Sequence, residues 1–296
     1  MPKITYETKK FSPDTLSTIT TAEGIIREYQ AQGFSLTLRQ LYYQFVARGL
    51  IANTERDYKR IGNIVSDARR AGLIDWEAIE DRTRFLRRLS AWNHPKDILE
   101  SARDSYRRDL WETQGLRYEV WIEKDALVGV IEPICKELHV PFFSCRGYVS
   151  DSEMWSAGIR VQGHNRAGQN VIILHLGDHD PSGIDMTRDI RTRIELFSEL
   201  GDFELKRIAL TMEQIEEQSP PPNPAKVTDS RYESYASEYG DESWELDALE
   251  PRFISDLIQN AVFEERDIGL WQEAVDEMDT ERNQIQDIID RWDELF

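Results

Sequence analysis

The 296-residue chain is long enough for two domains of ordinary size, each with its own core. It has no run of about eighteen apolar residues, its MPKITYETKK start lacks the apolar stretch of a signal peptide, and Cys135 and Cys145 stand outside any C-x-x-C or histidine pairing. These features argue against a membrane span, a disulfide framework and a zinc site, and predict a reducing, cytoplasmic setting with no membrane partner.

The net charge of −19 is unevenly distributed: residues 201–296 hold 26 acidic and 8 basic side chains, the first 200 hold 29 and 28. Acidity belongs to the C-terminal third, so the whole-chain charge says little about what the front binds.

Residues 1–34 contain a short helical pattern through Leu16, Ile19, Ile25, Ile26 and Tyr29, closed by Gln32-Gly33. In SLTLRQLYYQFVARGLI, Ser35 or Thr37 can cap a helix whose Leu38, Leu41, Tyr42, Phe45 and Val46 recur at helical spacing. At about 100° per residue these five share one face, and Tyr43 falls with Arg39 on the flank. Tyr42 is thus the expected core tyrosine and Tyr43 the solvent-reachable one. A second helix, from about 55 to 71, turns Ile61, Ile64, Val65 and Ala68 inward and leaves Lys59, Arg60, Arg69 and Arg70 on its surface. LIDWEAIEDRTR reads as strand, turn and strand, with Arg82, Arg84, Arg87 and Arg88 along or just after it. Helix, turn, basic helix and basic hairpin together predict a winged helix-turn-helix over residues 1–90 that binds double-stranded DNA, in preference to a merely solvated basic face.

Residues 91–115 read as a polar connector with helical content. Beyond it, 118–122 is a short strand with Glu123 at its carboxyl end, then Lys124 and a helix from Asp125. VPFFSCRGY supplies a second strand and turn, and Ser150-Asp151 caps a helix through Trp155 and Ile159. The apolar run 171–176 is a third strand, too short for a helix, and it ends in GDHDPSG. In extended chain Asp178 and Asp180 project together while His179 points away. Pro181 suits the first turn of the next helix, and ELKRIALT supplies a fourth strand. Alternating strands and helices predict a parallel sheet flanked by helices. That sheet brings Glu123, Asp178 and Asp180 to one edge as a seat for Mg²⁺; the bland alternative is an acidic turn with solvated carboxylates. SPPPNPAK, residues 219–226, reads as an extended, proline-stiffened link. From about 225 an acidic helical extension follows, with Leu270, Ala274, Met278, Ile285 and Ile288 packing within the chain or on a second subunit. The expected fold class is α/β: an N-terminal winged helix, then a parallel sheet within 116–296, with a C-terminal helical extension.

WIEKDAL followed by GDHDPSG resembles a Toprim domain, the metal-binding module of topoisomerases, primases and related nucleases. TLRQLYY resembles the segment of the topoisomerase VI A subunit, and of the related meiotic double-strand-break initiator, that carries the DNA-cleaving tyrosine. CRGY, DHDPSG and WELDAL resemble further segments of that family in the same order, over residues 35–260 or so. The resemblance implies that Tyr43 is the nucleophile, that Mg²⁺ is the cofactor, and that a 5′-phosphotyrosyl intermediate forms. It also implies a homodimer in which the tyrosine of one subunit works with the metal of the other. Shorter than a typical A subunit and without a fused B-type ATPase, the chain resembles most closely the compact stand-alone Mini-A relatives. Whether a separate ATPase subunit partners it stays open.

The residues themselves support that chemistry. A phenol of pKa about 10 needs help to attack phosphorus, and Arg39, one helical turn before Tyr43, is placed to stabilise developing negative charge. Lys124 is a candidate phosphate contact. Two other readings stand beside DNA transesterification: a metal-dependent Toprim nuclease that uses water, with Tyr43 structural, and a non-catalytic DNA-binding regulator.

Overall fold

The computed structural model describes residues 3–80, 89–199 and 201–292. It is α/β, with a four-stranded parallel sheet flanked by helices. The N-terminal unit is built from α1 (Pro13–Ala31), α2 (Leu38–Ala47) and α3 (Glu55–Arg70). Their apolar faces close on one cluster that includes Ile19, Ile25, Tyr29, Leu41, Phe45, Ile61, Val65 and Ile74. Thr37 caps α2 in a reciprocal box with Gln40, and Thr54 caps α3.

The segment after α3 departs from the expected hairpin. Leu73 and Ile74 form no strand; Trp76–Ala78 is a 3₁₀ turn started by Asp75, whose carboxylate accepts from Glu77 N–H. Strand β2 (Ile79–Glu80) then pairs in parallel with β1 (Leu36–Thr37), Leu36 opposite Ile79. The physical reason is burial: Ile74, Ala78 and Ile79 belong to the core of this unit, so the chain turns inward at the place where a free wing would turn out. The other half of the expected wing, with Arg82, Arg84, Arg87 and Arg88, lies outside the described residues. α4 (Pro95–Ser105) is the helical part of the connector.

In the larger unit the strands are β3 (Leu116–Ile122), β4 (Phe142–Ser144), β5 (Asn170–Leu176) and β6 (Phe203–Ala209), in the spatial order β4-β3-β5-β6. β5 buries both faces, as a central parallel strand must. Ile172, Leu174 and Leu176 face α5 (Val128–Glu137) and α10 (Pro251–Glu265), while Val171 and Ile173 face α6 (Asp151–Arg166) and α7 (Pro181–Phe197). Where α6 meets α7 only glycine fits: a Cβ on Gly158 would lie 2.6 Å from the Phe197 backbone carbon.

After α8 (Met212–Gln218) the proline segment is no free link. β7 (Asn223–Pro224) pairs antiparallel with β8 (Glu242–Ser243) across α9 (Tyr232–Tyr239), because the chain between them closes back on the sheet edge. A 3₁₀ turn at Leu246–Ala248 then delivers the chain to α10, and Ala248 enters the N-terminal core. α11 (Ile268–Asp290) folds back on the connector, with Ala274 and Met278 on Leu110, so these two members of the stripe pack within the chain while Leu270 and Ile288 stay exposed. Arg108 faces Glu277 and Glu281 at 2.8 and 3.0 Å there.

Candidate functional site

β3 and β5 end side by side, tied by Glu123 N–H donating to Leu176 O at 2.8 Å. Glu123, Asp178 and Asp180 therefore stand at the carboxyl edge of the sheet. Asp178 N–H donates to Glu123 Oε2 at 2.8 Å. Asp178 Oδ1 accepts from Leu246 N–H at 2.7 Å and faces Lys124 Nζ at 3.0 Å. Asp180 is the N-cap of α7, its Oδ1 accepting from Gly183 N–H at 2.6 Å. A Cβ on Gly183 would sit 2.2 Å from Asp178 O, so this turn requires glycine. His179 points away from the carboxylates: its ring packs on Tyr235, Tyr239 and Trp244, with Nδ1 2.8 Å from the Tyr235 hydroxyl.

Beneath this edge lies Arg207, which sequence reasoning did not single out. Its guanidinium donates to Gly177 O (3.0 Å), Asp178 O (2.6 Å), Gly183 O (3.0 Å) and Thr187 Oγ1 (2.8 Å). One side chain thus staples the acidic turn to the first turns of α7. The strand FELKRIA also carries Glu204 and Lys206, so nothing in the sequence set Arg207 apart from its charged neighbours.

Each of the three carboxylates has one oxygen committed to a backbone N–H. Among the described residues, no three carboxylate, imidazole or thiol groups are arranged to enclose a metal ion. Carboxylate oxygens are nonetheless the donor type that a hard divalent cation takes. Glu123 is held above the usual carboxylate range, by burial first and then by the Asp180 charge, against Asp178 N–H and Lys124. Burial, with Glu123 and Asp247 adding to it and Lys124 opposing, pushes Asp178 up as well. Carboxylates that repel one another in this way gain when a cation stands between them.

Arg39 and Tyr43 share the flank of α2, with Arg39 Nη2 3.5 Å from the Tyr43 hydroxyl and the guanidinium 5.7 Å from the ring centre. Tyr43 is not solvent-reachable as expected: Tyr42 and Tyr43 are both 4 % exposed. Helical periodicity opens that flank, but the segment 244–249 covers it. Arg39 binds Glu245 and faces Asp247 Oδ2 through Nε at 2.8 Å. Both rings still line a cavity of about 290 Å³ with Arg39, Asn53, Tyr58 and Glu245. The Tyr42 hydroxyl lies 3.0 Å from Asn53 Oδ1 and 3.1 Å from Thr54 O. Burial, then Asp247 and Glu245, push the Tyr43 phenol up to about 12, against Arg39 and Lys124.

Lys124 is enclosed rather than presented to solvent. Its Nζ contacts Asp178 (3.0 Å), Asp247 (2.9 Å) and Glu245. Burial works against its charge, and Asp247, Asp178 and Glu245 outweigh it, so its pKa lies above the ordinary lysine value. An unbroken line of contacts therefore runs from Tyr43 through Arg39, Asp247 and Lys124 to Asp178. The WELDAL segment supplies its centre, and sequence alone assigned Glu245 and Asp247 no role.

The remaining basic candidates have mixed surroundings. Lys59 faces Glu55 at 2.6 Å and Arg60 faces Asp14 at 3.2 Å. Arg70 faces Asp67 at 3.0 Å and Glu7 at 3.4 Å. Arg69 lies 4.8 Å from the Trp76 ring centre and donates to Ile79 O at 3.3 Å, so it holds the 3₁₀ turn. Among the described residues no helix is long and apolar enough to cross a membrane. No family model matches the chain, and no curated protein matches it.

Proposed function

We propose that this protein cleaves double-stranded DNA by Mg²⁺-dependent transesterification, with Tyr43 as nucleophile and a 5′-phosphotyrosyl intermediate. The observation that carries the reading is the contact line joining Tyr43 to the carboxylate edge through Arg39, Asp247 and Lys124. In this reading the three-helix unit acts as the winged helix, the sheet as a Toprim domain, and two copies of the chain form the dimer, with or without a separate ATPase; the contact line pairs Tyr43 with the carboxylate edge of its own chain, where the resemblance pairs it with the partner's metal. Glu123, Asp178 and Asp180 would hold Mg²⁺, which supplies charge stabilisation at the leaving 3′ oxygen. Arg39 orients the phenol and stabilises the negative charge that builds on the phosphoryl oxygens. Arg207 keeps the acidic turn in shape. Attack joins the tyrosine oxygen to phosphorus and releases the 3′ hydroxyl, which can later reverse the step.

The burial of Tyr43 and its raised pKa favour one second reading, a hydrolytic nuclease in which the tyrosine is structural. Incubation with supercoiled plasmid and Mg²⁺, quenched in detergent with and without protease, separates the two. Transesterification yields broken DNA that enters the gel freely only after proteolysis. Hydrolysis yields free ends in both lanes.

A further inference from the structure

Glu245 is the unexplained member of the contact line. Its Oε2 accepts from both Arg39 Nη2 and Lys124 Nζ, so one carboxylate oxygen bridges two cations beside Tyr43. Asp247 does related work from a different position. Its side chain is 0 % exposed, with Oδ1 2.9 Å from Lys124 and Oδ2 2.8 Å from Arg39 Nε. Glu245 is 29 % exposed and lines the cavity that also holds Tyr43. An oxygen shared by a guanidinium and an ammonium is what a non-bridging phosphate oxygen offers, and these cations bind phosphate strongly.

We infer that Arg39 and Lys124 form a phosphodiester subsite that the chain's own Glu245 fills until nucleic acid displaces it. The inference deepens the DNA-cleavage reading and rests on it for the identity of the ligand. Displacement needs no backbone rearrangement. Leu246 N–H stays bound to Asp178 Oδ1, and Trp244 N–H and His179 N–H stay bonded to each other's carbonyls. Only the glutamate side chain has to swing toward the cavity. When it leaves, Asp247 still holds Arg39 by Nε and Lys124 by Oδ1, while Asp178 keeps its contact with Lys124. The Arg39 Nη2–H and the ammonium N–H that Glu245 held are then free for phosphate, already aimed. The same exchange places phosphorus next to the Tyr43 hydroxyl, which lies 3.5 Å from Arg39 Nη2.

Binding of a short fluorescent duplex to the full chain in EDTA, where no cleavage occurs, tests this directly. Glu245→Gln keeps the volume and removes the competing charge, so it should bind about ten-fold more tightly than the unaltered protein. Glu242→Gln, an exposed carboxylate three residues away, makes the same change in net charge and should stay within about two-fold. Glu245→Asp withdraws the carboxylate by one methylene and should gain less than the glutamine variant; it keeps the charge and so reports even if Glu245→Gln fails to fold. Unchanged or weaker binding by both folded Glu245 variants overturns the subsite, as does an equal gain in Glu242→Gln. Inorganic pyrophosphate is the second probe. A Glu245→Gln gain toward pyrophosphate, with no duplex binding by any form, removes the DNA reading and keeps the subsite. No gain toward either probe removes the subsite.

Discussion

The carboxylate edge and the tyrosine flank meet at Lys124, yet they are held by different forces. Glu123 and Asp178 stand at adjacent strand ends, joined by backbone hydrogen bonds and stapled from below by Arg207. Tyr43 touches Arg39 through a 3.5 Å contact, and the acidic groups around it arrive from 206 residues further along the chain from Arg39. Backbone hydrogen bonds inside a parallel sheet are shielded from water and ions. Side-chain ion pairs at a half-exposed guanidinium answer to salt and to competing anions. The first region is a fixed frame, and the second is an assembly that a ligand can rearrange.

The sharpest way to break this comparison is Tyr43→Phe. It should lower DNA cleavage by about 10³-fold or more and abolish the protein-linked product, because no other group on the flank replaces the nucleophile. The melting transition should barely move, since the hydroxyl makes only the long contact to Arg39. Full cleavage by the variant would leave the hydrolytic reading standing.

Asp247→Ala separates the frame from the assembly at their junction. It removes a carboxylate that is fully buried between Lys124 and Arg39, and should cost about 3 kcal/mol in urea unfolding, because the buried lysine loses one of its three carboxylate partners and Arg39 one of its two. A cost no greater than that of an exposed pair would mean that Lys124 finds full compensation in Asp178 and Glu245.

Gly183→Ala tests the rigidity of the edge. The added Cβ meets Asp178 O at 2.2 Å, so the first turn of α7 must move, at about 1–3 kcal/mol in the same measurement. A rigid frame also predicts that Mg²⁺-dependent activity falls with stability.

The smallest effect concerns Asp185 on α7. Its hydrogen bond from Arg188 comes first among the causes that hold it at about 2, below its ordinary 3.8, with Tyr148 and Arg231 adding to it. A depressed carboxylate stabilises the fold fully above its unfolded pKa and loses that contribution as pH falls through the folded one. The stability difference between the unaltered protein and Asp185→Asn should therefore be constant above about pH 4 and vanish toward about pH 2. Acid titration of both forms by circular dichroism checks it.

Much of the frame is legible in the sequence. The apolar runs 118–122 and 171–176 are β-strands, Thr37, one of the two candidate caps, caps its helix, and His179 turns away from Asp178 and Asp180 as strand alternation requires. These are local rules, in which a residue's place follows from neighbours a few positions away. The parallel pairing of Leu36 with Ile79, the closure of Asn223–Pro224 on Glu242–Ser243, and the cover over Tyr43 were not legible. Each depends on which distant segment wins a shared surface.

Sequence alone determined the strand–helix alternation, the acidic turn and the one-turn spacing of Arg39 and Tyr43, because backbone geometry links those positions directly. Tertiary structure decided that Glu245 and Asp247 sit between the tyrosine and the carboxylate edge, that Lys124 is enclosed, and that Arg207 supports the turn. A charged side chain is stable in any solvated place, so its pattern in sequence carries little information about its partner. Only burial, which makes an unpaired charge costly, selects one.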